Sequence, residues 1–153
     1  MSLRIVVIRL LALAVIVTGA LVASPAPAAT LAEVKFGNKV HQRVNEVRAN
    51  HDLVRLKKNK CLQRFANRQA NAMAKQKRLF HQDLGKILAA CNLRRVGENV
   101  IVGPGNPRQQ VKNWMNSPPH RANILHRPFR ITGVAARKSG GVWWVAQVFG
   151  RKA

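Results

Sequence analysis

The chain has 153 residues, of which 27 are Lys or Arg and only five are Asp or Glu, for a formal charge of +22. That length has room for one domain, and the charge excludes a surface balanced merely for solubility, where a magnitude of roughly 2 to 8 is usual for a small domain. Two cysteines are too few for a thiolate zinc site.

Arg4 and Arg9 flank the start of an apolar run from Leu10 to Ala23, which gives way to Ser24-Pro25-Ala26-Pro27-Ala28. The run is at the short end of what spans a bilayer, and the proline-rich segment would not continue a membrane helix. The pattern predicts a cleavable secretory leader over residues 1–28, with Ala26 and Ala28 preceding the cut, and a single domain over 29–153. With no second apolar run to act as a transmembrane anchor, the mature protein is expected outside the cell. The leader takes two of the 27 basic residues, leaving 25 against five acidic ones and a charge of +20. Such a surface predicts polyanionic partners: anionic lipid, another anionic cell-surface component such as a cell-wall polymer, or extracellular nucleic acid. Cys61 and Cys91, an even count in an exported chain, predict one disulfide closing a loop of about 30 residues, worth roughly 3 to 4 kcal/mol. The alternative is a pair of buried free thiols.

Val40, Val44 and Val47 recur at helical spacing, predicting a first amphipathic helix over roughly residues 33–50, ended by Asn50-His51-Asp52. A second is predicted over about 60–78, with Leu62, Phe65, Ala66, Ala70 and Met73 on one side. Lys60, Arg64, Arg68 and Lys75 on its other side form the most coherent candidate stripe for a polyanion, although such faces are commonly just solvated. Residues 82–91 read as a short helix or turn leading to Cys91, and Val96 to Gly103 as a strand. Asn106 is placed to cap a helix with Pro107 at its first position and Val111, Trp114 and Met115 on its apolar side; Ser117-Pro118-Pro119 is read as stopping it. The chain closes with a predicted antiparallel hairpin, Ile131 to Arg137 and Val142 to Phe149, turning at Lys138-Ser139-Gly140-Gly141. Trp143, Val145, Gln147 and Phe149 share one strand face and Val142, Trp144, Ala146 and Val148 the other, so this strand should lie between two layers of helices.

Three segments carry the chemistry: LFHQD with His81, GEN with Glu98, and WMNSPPHRANIL with His120, whose Trp114 lies sixteen residues beyond Glu98. Two imidazoles and a carboxylate converging on a cleft could relay protons or hold a divalent ion such as zinc, leaving a fourth position for water. Asn99 and Asn123 read as satisfying backbone groups, the three tryptophans as core, and His41, His51 and His126 as surface residues.

These pieces, with GENV at Gly97 to Val100, ITGVA at Ile131 to Ala135 and the closing WVAQVFG, resemble in order the CAP superfamily of cysteine-rich secretory proteins, antigen 5 and pathogenesis-related proteins, in particular its compact bacterial secreted members. The resemblance implies an α+β fold, a three-layer α-β-α sandwich of the SCP-like type around a central antiparallel sheet, with a cleft. By motif, His81 and His120 are similar to the family's two cleft histidines and Glu98 to its first acidic residue. The second acidic position corresponds to Ser117, which removes a carboxylate that would attract a dication or serve as general base. The sequence therefore favours a secreted binding protein over an enzyme, its cleft and basic surface engaging an extracellular ligand. The family adds lipids, sterols and proteins as ligand classes. The alternatives are a zinc-dependent hydrolase built on His81, Glu98 and His120, and a cationic antimicrobial protein that needs no pocket.

Overall fold

A computed structural model describes residues 28–153, so the expected leader, Ala28 apart, lies outside the described residues. The elements run α1 (Leu31–Ala49), β1 (Lys57–Lys58), α2 (Lys60–Gln76), α3 (Leu84–Ala90), β2 (Leu93–Gly103), α4 (Pro107–Met115), α5 (Pro118–Leu125), β3 (Ile131–Ser139) and β4 (Val142–Lys152). The strands form one sheet in the spatial order β1-β3-β4-β2. β4 runs antiparallel to both β2 and β3, while β1 adds two residues parallel to β3, Lys57 beside Ile131 and Lys58 beside Thr132. That short edge carries no β-branched pattern, and the sequence gives no sign of it.

Alternation along β4 decides the layers. Trp144, Ala146 and Val148 enter one core with Leu62, Ala66, Ala70 and Met73 of α2 and Ile87 of α3. Val145 and Phe149 enter another with Phe36, Val40 and Val44 of α1, Val111 and Trp114 of α4 and Ile124 of α5. The result is the expected α-β-α sandwich, each large buried apolar side chain contributing about 1.5–3 kcal/mol.

Local chemistry sets the helix ends. Thr30 and Glu33 form a reciprocal capping box at α1, and Asn59, Asp83 and Asn106 each accept a backbone N–H at the start of α2, α3 and α4. Ser117-Pro118-Pro119 does follow the end of a helix, but it also begins another that the sequence reading lacked. α4 ends at Met115, and the same prolines occupy the first turn of a further helix, α5, where their missing N–H groups cost no helical hydrogen bond. Gly133 is required where α2 crosses β3, because a Cβ there would lie 2.3 Å from backbone atoms of Leu62 and Gln63. Gly140 and Gly141 turn the hairpin with φ of 63° and 76°, as a two-residue turn demands. The Cys61–Cys91 disulfide, with Cα atoms 5.8 Å apart, ties the first turn of α2 to the end of α3.

β1 diverges into α2 after two residues, and the freed side of β3 is closed by side chains. Gln63 accepts from the Val134 N–H at 3.2 Å and donates to the Val134 carbonyl at 2.7 Å, as a neighbouring peptide unit would. Glu33 accepts from the N–H of Lys138 further along.

Arg48, in the last turn of α1, is wholly buried. No carboxylate pairs with it; its guanidinium donates to the carbonyls of Val54 (2.9 Å), Ile124 (2.7 Å), His126 (3.2 Å) and Phe129 (3.3 Å). Burial, then the nearby charge of Arg130, lower its pKa to about 10. Arg48→Ala strands those carbonyls without donors and opens a void, so chemical denaturation should show a loss of roughly 3–5 kcal/mol. Arg48→Lys, lacking the fork, should recover little of it.

Candidate functional site

His81 and Glu98 meet at the edge strand β2, and the backbone of His120 is tied to the same strand through Asn99. Glu98 shares a sheet face with Val100, toward α2 and α3, while Asn99 takes the opposite face. His81 lies in the segment that leads into α3, on the Glu98 side, and His120 lies on α5, from the other layer. The candidate site residues thus come to the rim of the sheet from both layers.

Glu98 is 4% exposed and its side chain fully buried, whereas the His81 side chain is 56% exposed. Glu98 Oε1 lies 2.8 Å from His81 Nδ1 and accepts from the Gln82 N–H at 3.3 Å; Oε2 accepts from the Gln82 side-chain amide. A carboxylate that only accepts fixes the His81 tautomer, with the proton on Nδ1 and Nε2 left as the open nitrogen. His120 is held in place from behind. Asn99 donates to the His120 carbonyl at 3.0 Å, and Asn123, one turn later, donates to the Glu98 carbonyl at 3.0 Å and to Asn99 Oδ1 at 2.9 Å. These bonds clamp α5 onto β2 and confirm both asparagines as partners of backbone groups. Trp114 also closes this edge, its Nε1 reaching the Val100 carbonyl at 3.4 Å from a fully buried ring. Burial, and secondly the charge of His81, hold His120 below its ordinary 6.5, so near neutral pH it is uncharged.

Among the described residues, no group of three or more His, Cys, Asp or Glu side chains is gathered so that it could hold a metal ion. His81, Glu98 and His120 form no such group, and both Glu98 oxygens accept from His81 and Gln82. Two imidazoles remain as donors, short of the three protein ligands that an open zinc site uses. Ser117 heads α5 three residues before His120, and its side chain makes no capping bond. Gln82 is the cleft residue the motifs passed over, though it lies inside LFHQD beside His81.

Other expectations divide. Lys60, Arg64, Arg68 and Lys75 all lie exposed along α2, with Arg68 stacked over Phe65 at 5.0 Å. Of the histidines read as surface residues only His51 is exposed. His41 is half-buried with Nε2 3.0 Å from the Leu56 carbonyl, and His126 is half-buried at the rim of a hollow beside β2. The three tryptophans are core as expected, Trp143 stacking on Phe36 at 3.9 Å.

A sandwich of this topology with two histidines and a buried glutamate at the sheet rim defines an SCP-like domain. The profile of the cysteine-rich secretory protein (CAP) family matches residues 41–149, and the chain belongs to that family. It is 31% identical over 116 residues to the Bacillus subtilis protein YkwD, an alignment covering 71% of this chain but only 45% of that relative. The fold is similar to that of an outer surface protein from Borrelia burgdorferi (TM-score 0.71, 16% identity, 78% of this chain and 94% of that one). It is equally similar to an extracellular SCP-domain protein from Bacillus anthracis (TM-score 0.71, 22% identity, 82% and 45%). More distantly it is similar to NaASP2, solved with Zn2+ (TM-score 0.56, 10% identity, 78% and 80%).

Two outcomes follow from this geometry. Glu98→Gln weakens the hold on His81 and Gln82, and denaturant titration should show a loss of about 1.5–3 kcal/mol, the range for hydrogen bonds to a charged group. His41, His120 and His126 are all depressed below 6.5, each first by burial. Above that value they are neutral in both states, and as pH falls below it the unfolded chain takes up protons first. The melting temperature should therefore drop progressively below about pH 6.5, and His120→Gln should flatten part of that slope.

Proposed function

We propose that this protein is an extracellular binding protein whose basic surface holds it to an anionic polymer or lipid surface, leaving the rim cleft free to take a ligand. The observation that carries this reading is where the five carboxylates go. Glu33 is buried in the α1 cap, Glu98 is buried against His81 and Gln82, Asp83 caps α3 and Glu46 pairs with Arg43. Only Asp52 is left among them, so the lysines and arginines on the surface go almost uncompensated. The disulfide fits an oxidising compartment outside the cytosol. Among the described residues no helix is long and apolar enough to cross a membrane, so attachment through this domain would rest on charge.

The hydrolase reading is less well supported by the same geometry. It asks Glu98 to ligate a metal or accept a proton, and Glu98 is already engaged on both oxygens. The presence of Zn2+ with NaASP2, a distant fold relative, keeps an ion between the two imidazoles open to direct titration.

Binding of residues 29–153 to anionic vesicles and to purified anionic cell-wall polymer should weaken by about two orders of magnitude between ~50 and ~200 mM salt if four contacts form. Reversal of Arg64 and Arg68 to Glu should weaken it further, while His120→Ala leaves it unchanged. Binding indifferent to salt would refute the electrostatic reading. Disruption of the vesicles themselves, unaffected by His120→Ala, would favour the antimicrobial alternative.

A further inference from the structure

The hollow beside the rim cleft has a volume of about 370 Å3 and is lined by Leu88 of α3, Arg95 and Val96 of β2, Asn123 of α5, and His126 and Phe129 of the connection to β3. Two features separate it from a casual dent.

The first is concentrated positive charge with no carboxylate paired to it among the described residues. Arg95 stands directly opposite Arg151 in the β2–β4 ladder, an arrangement of like charges that destabilises an antiparallel pair. Behind it, Arg48 and Arg130 both donate to the carbonyl of Phe129, at 3.3 and 2.9 Å. Burial, then Arg95, then Arg48 hold His126 below its ordinary proton affinity. The ion pairs among the described residues are Arg43–Glu46, His81–Glu98 and Lys86–Asp83, and none involves this group.

The second is an apolar floor. Phe129 is buried, stacked on Phe149 at 5.4 Å and met edge-on by His126 at 4.6 Å. Leu88 is left 38% exposed at the mouth. A bare ion would leave that surface wet.

We infer that this hollow binds a phosphate ester, the phosphate meeting Arg95 and His126 and the apolar group it carries lying against Leu88, Val96 and Phe129. A phosphate monoester brings close to two negative charges and three acceptor oxygens, enough to relieve several cations at once, and the planar guanidinium fork suits it. None of the α2 stripe residues Lys60, Arg64, Arg68 and Lys75 lines this hollow, and the site does not depend on them.

The probe is phenyl phosphate at ~150 mM salt, where loose charge attraction is largely screened. Its binding is followed through the His126 imidazole resonances of residues 29–153. Saturable binding is expected, with the His126 pKa moving upward in the complex. Inorganic phosphate should bind more weakly, for want of the floor. Arg95→Gln, at an exposed position, should cost about tenfold or more in affinity, and Arg64→Glu with Arg68→Glu should cost nothing. A titration that leaves His126 unmoved, or an Arg95→Gln protein that binds as well as the parent, overturns the assignment. Inorganic phosphate binding as tightly as phenyl phosphate would overturn the apolar half of it. Because vesicle binding is read at α2 and phenyl phosphate binding at His126, failure of either reading is visible without the other.

Discussion

The guanidinium of Arg48 holds together parts of the chain that share no strand. It leaves the end of α1 and meets carbonyls from the loop after that helix, from the end of α5 and from the turn leading into β3. Carbonyl dipoles replace a counterion, which is how a chain with so few carboxylates can keep a cation in its interior. The cost of burying the charge is offset only if every donor finds an acceptor, so the surrounding loops have little freedom to rearrange. α5 carries His120 and Asn123, and its position is thereby fixed from behind by α1 and from the side by the asparagines on β2. The cleft depends on a residue that never touches it.

The same economy of acidic groups shapes the site. Glu98 is one of only two buried carboxylates, and it orients an imidazole and anchors the segment before α3. Replacing the family's second acid by Ser117 leaves the rim with two imidazoles, one oriented by a carboxylate and one kept neutral by burial. Such a site can accept hydrogen bonds. The charge outside the cleft supports the proposed binding role.

Much of this was legible in the residues. Alternation in VWWVAQVF demanded helices on both sides of β4, and the two cores have that composition; the spacing of apolar residues placed α1 and α2 within a few positions of their observed ends. The capping box of Thr30 and Glu33, which sets the start of α1 at Leu31, was not part of that reading. What stayed hidden is of one physical kind. β1 is two lysines whose strand conformation comes wholly from the β3 edge they lie against. Ser117-Pro118-Pro119 is punctuation that both ends one helix and opens another, and only tertiary contacts choose. Arg48, Gln63 and Gln82 are ordinary polar residues on helices or in a loop until long-range partners appear, and His126 looks like surface until the connection to β3 folds over it. Motifs brought His81, Glu98 and His120 to one place, but the division of labour among them depends on Gln82 and on hydrogen-bond geometry that spacing does not encode.

β2, and β3 beyond its two-residue pairing with β1, meet side chains where a neighbouring strand would lie. On β3 the carboxamide of Gln63 satisfies the N–H and the C=O of a single residue, and Glu33 takes another amide further on. On β2 the donors of Asn123 and Trp114 reach successive outward carbonyls. The ladder is thus finished by amide, indole and carboxylate groups of the molecule itself. A second copy approaching edge to edge would have to displace bonds already made before gaining its own, and this obstructs sheet-to-sheet growth. For a protein proposed to work beyond the reach of cytosolic chaperones, those few side chains guard against the commonest way an exposed sheet is lost.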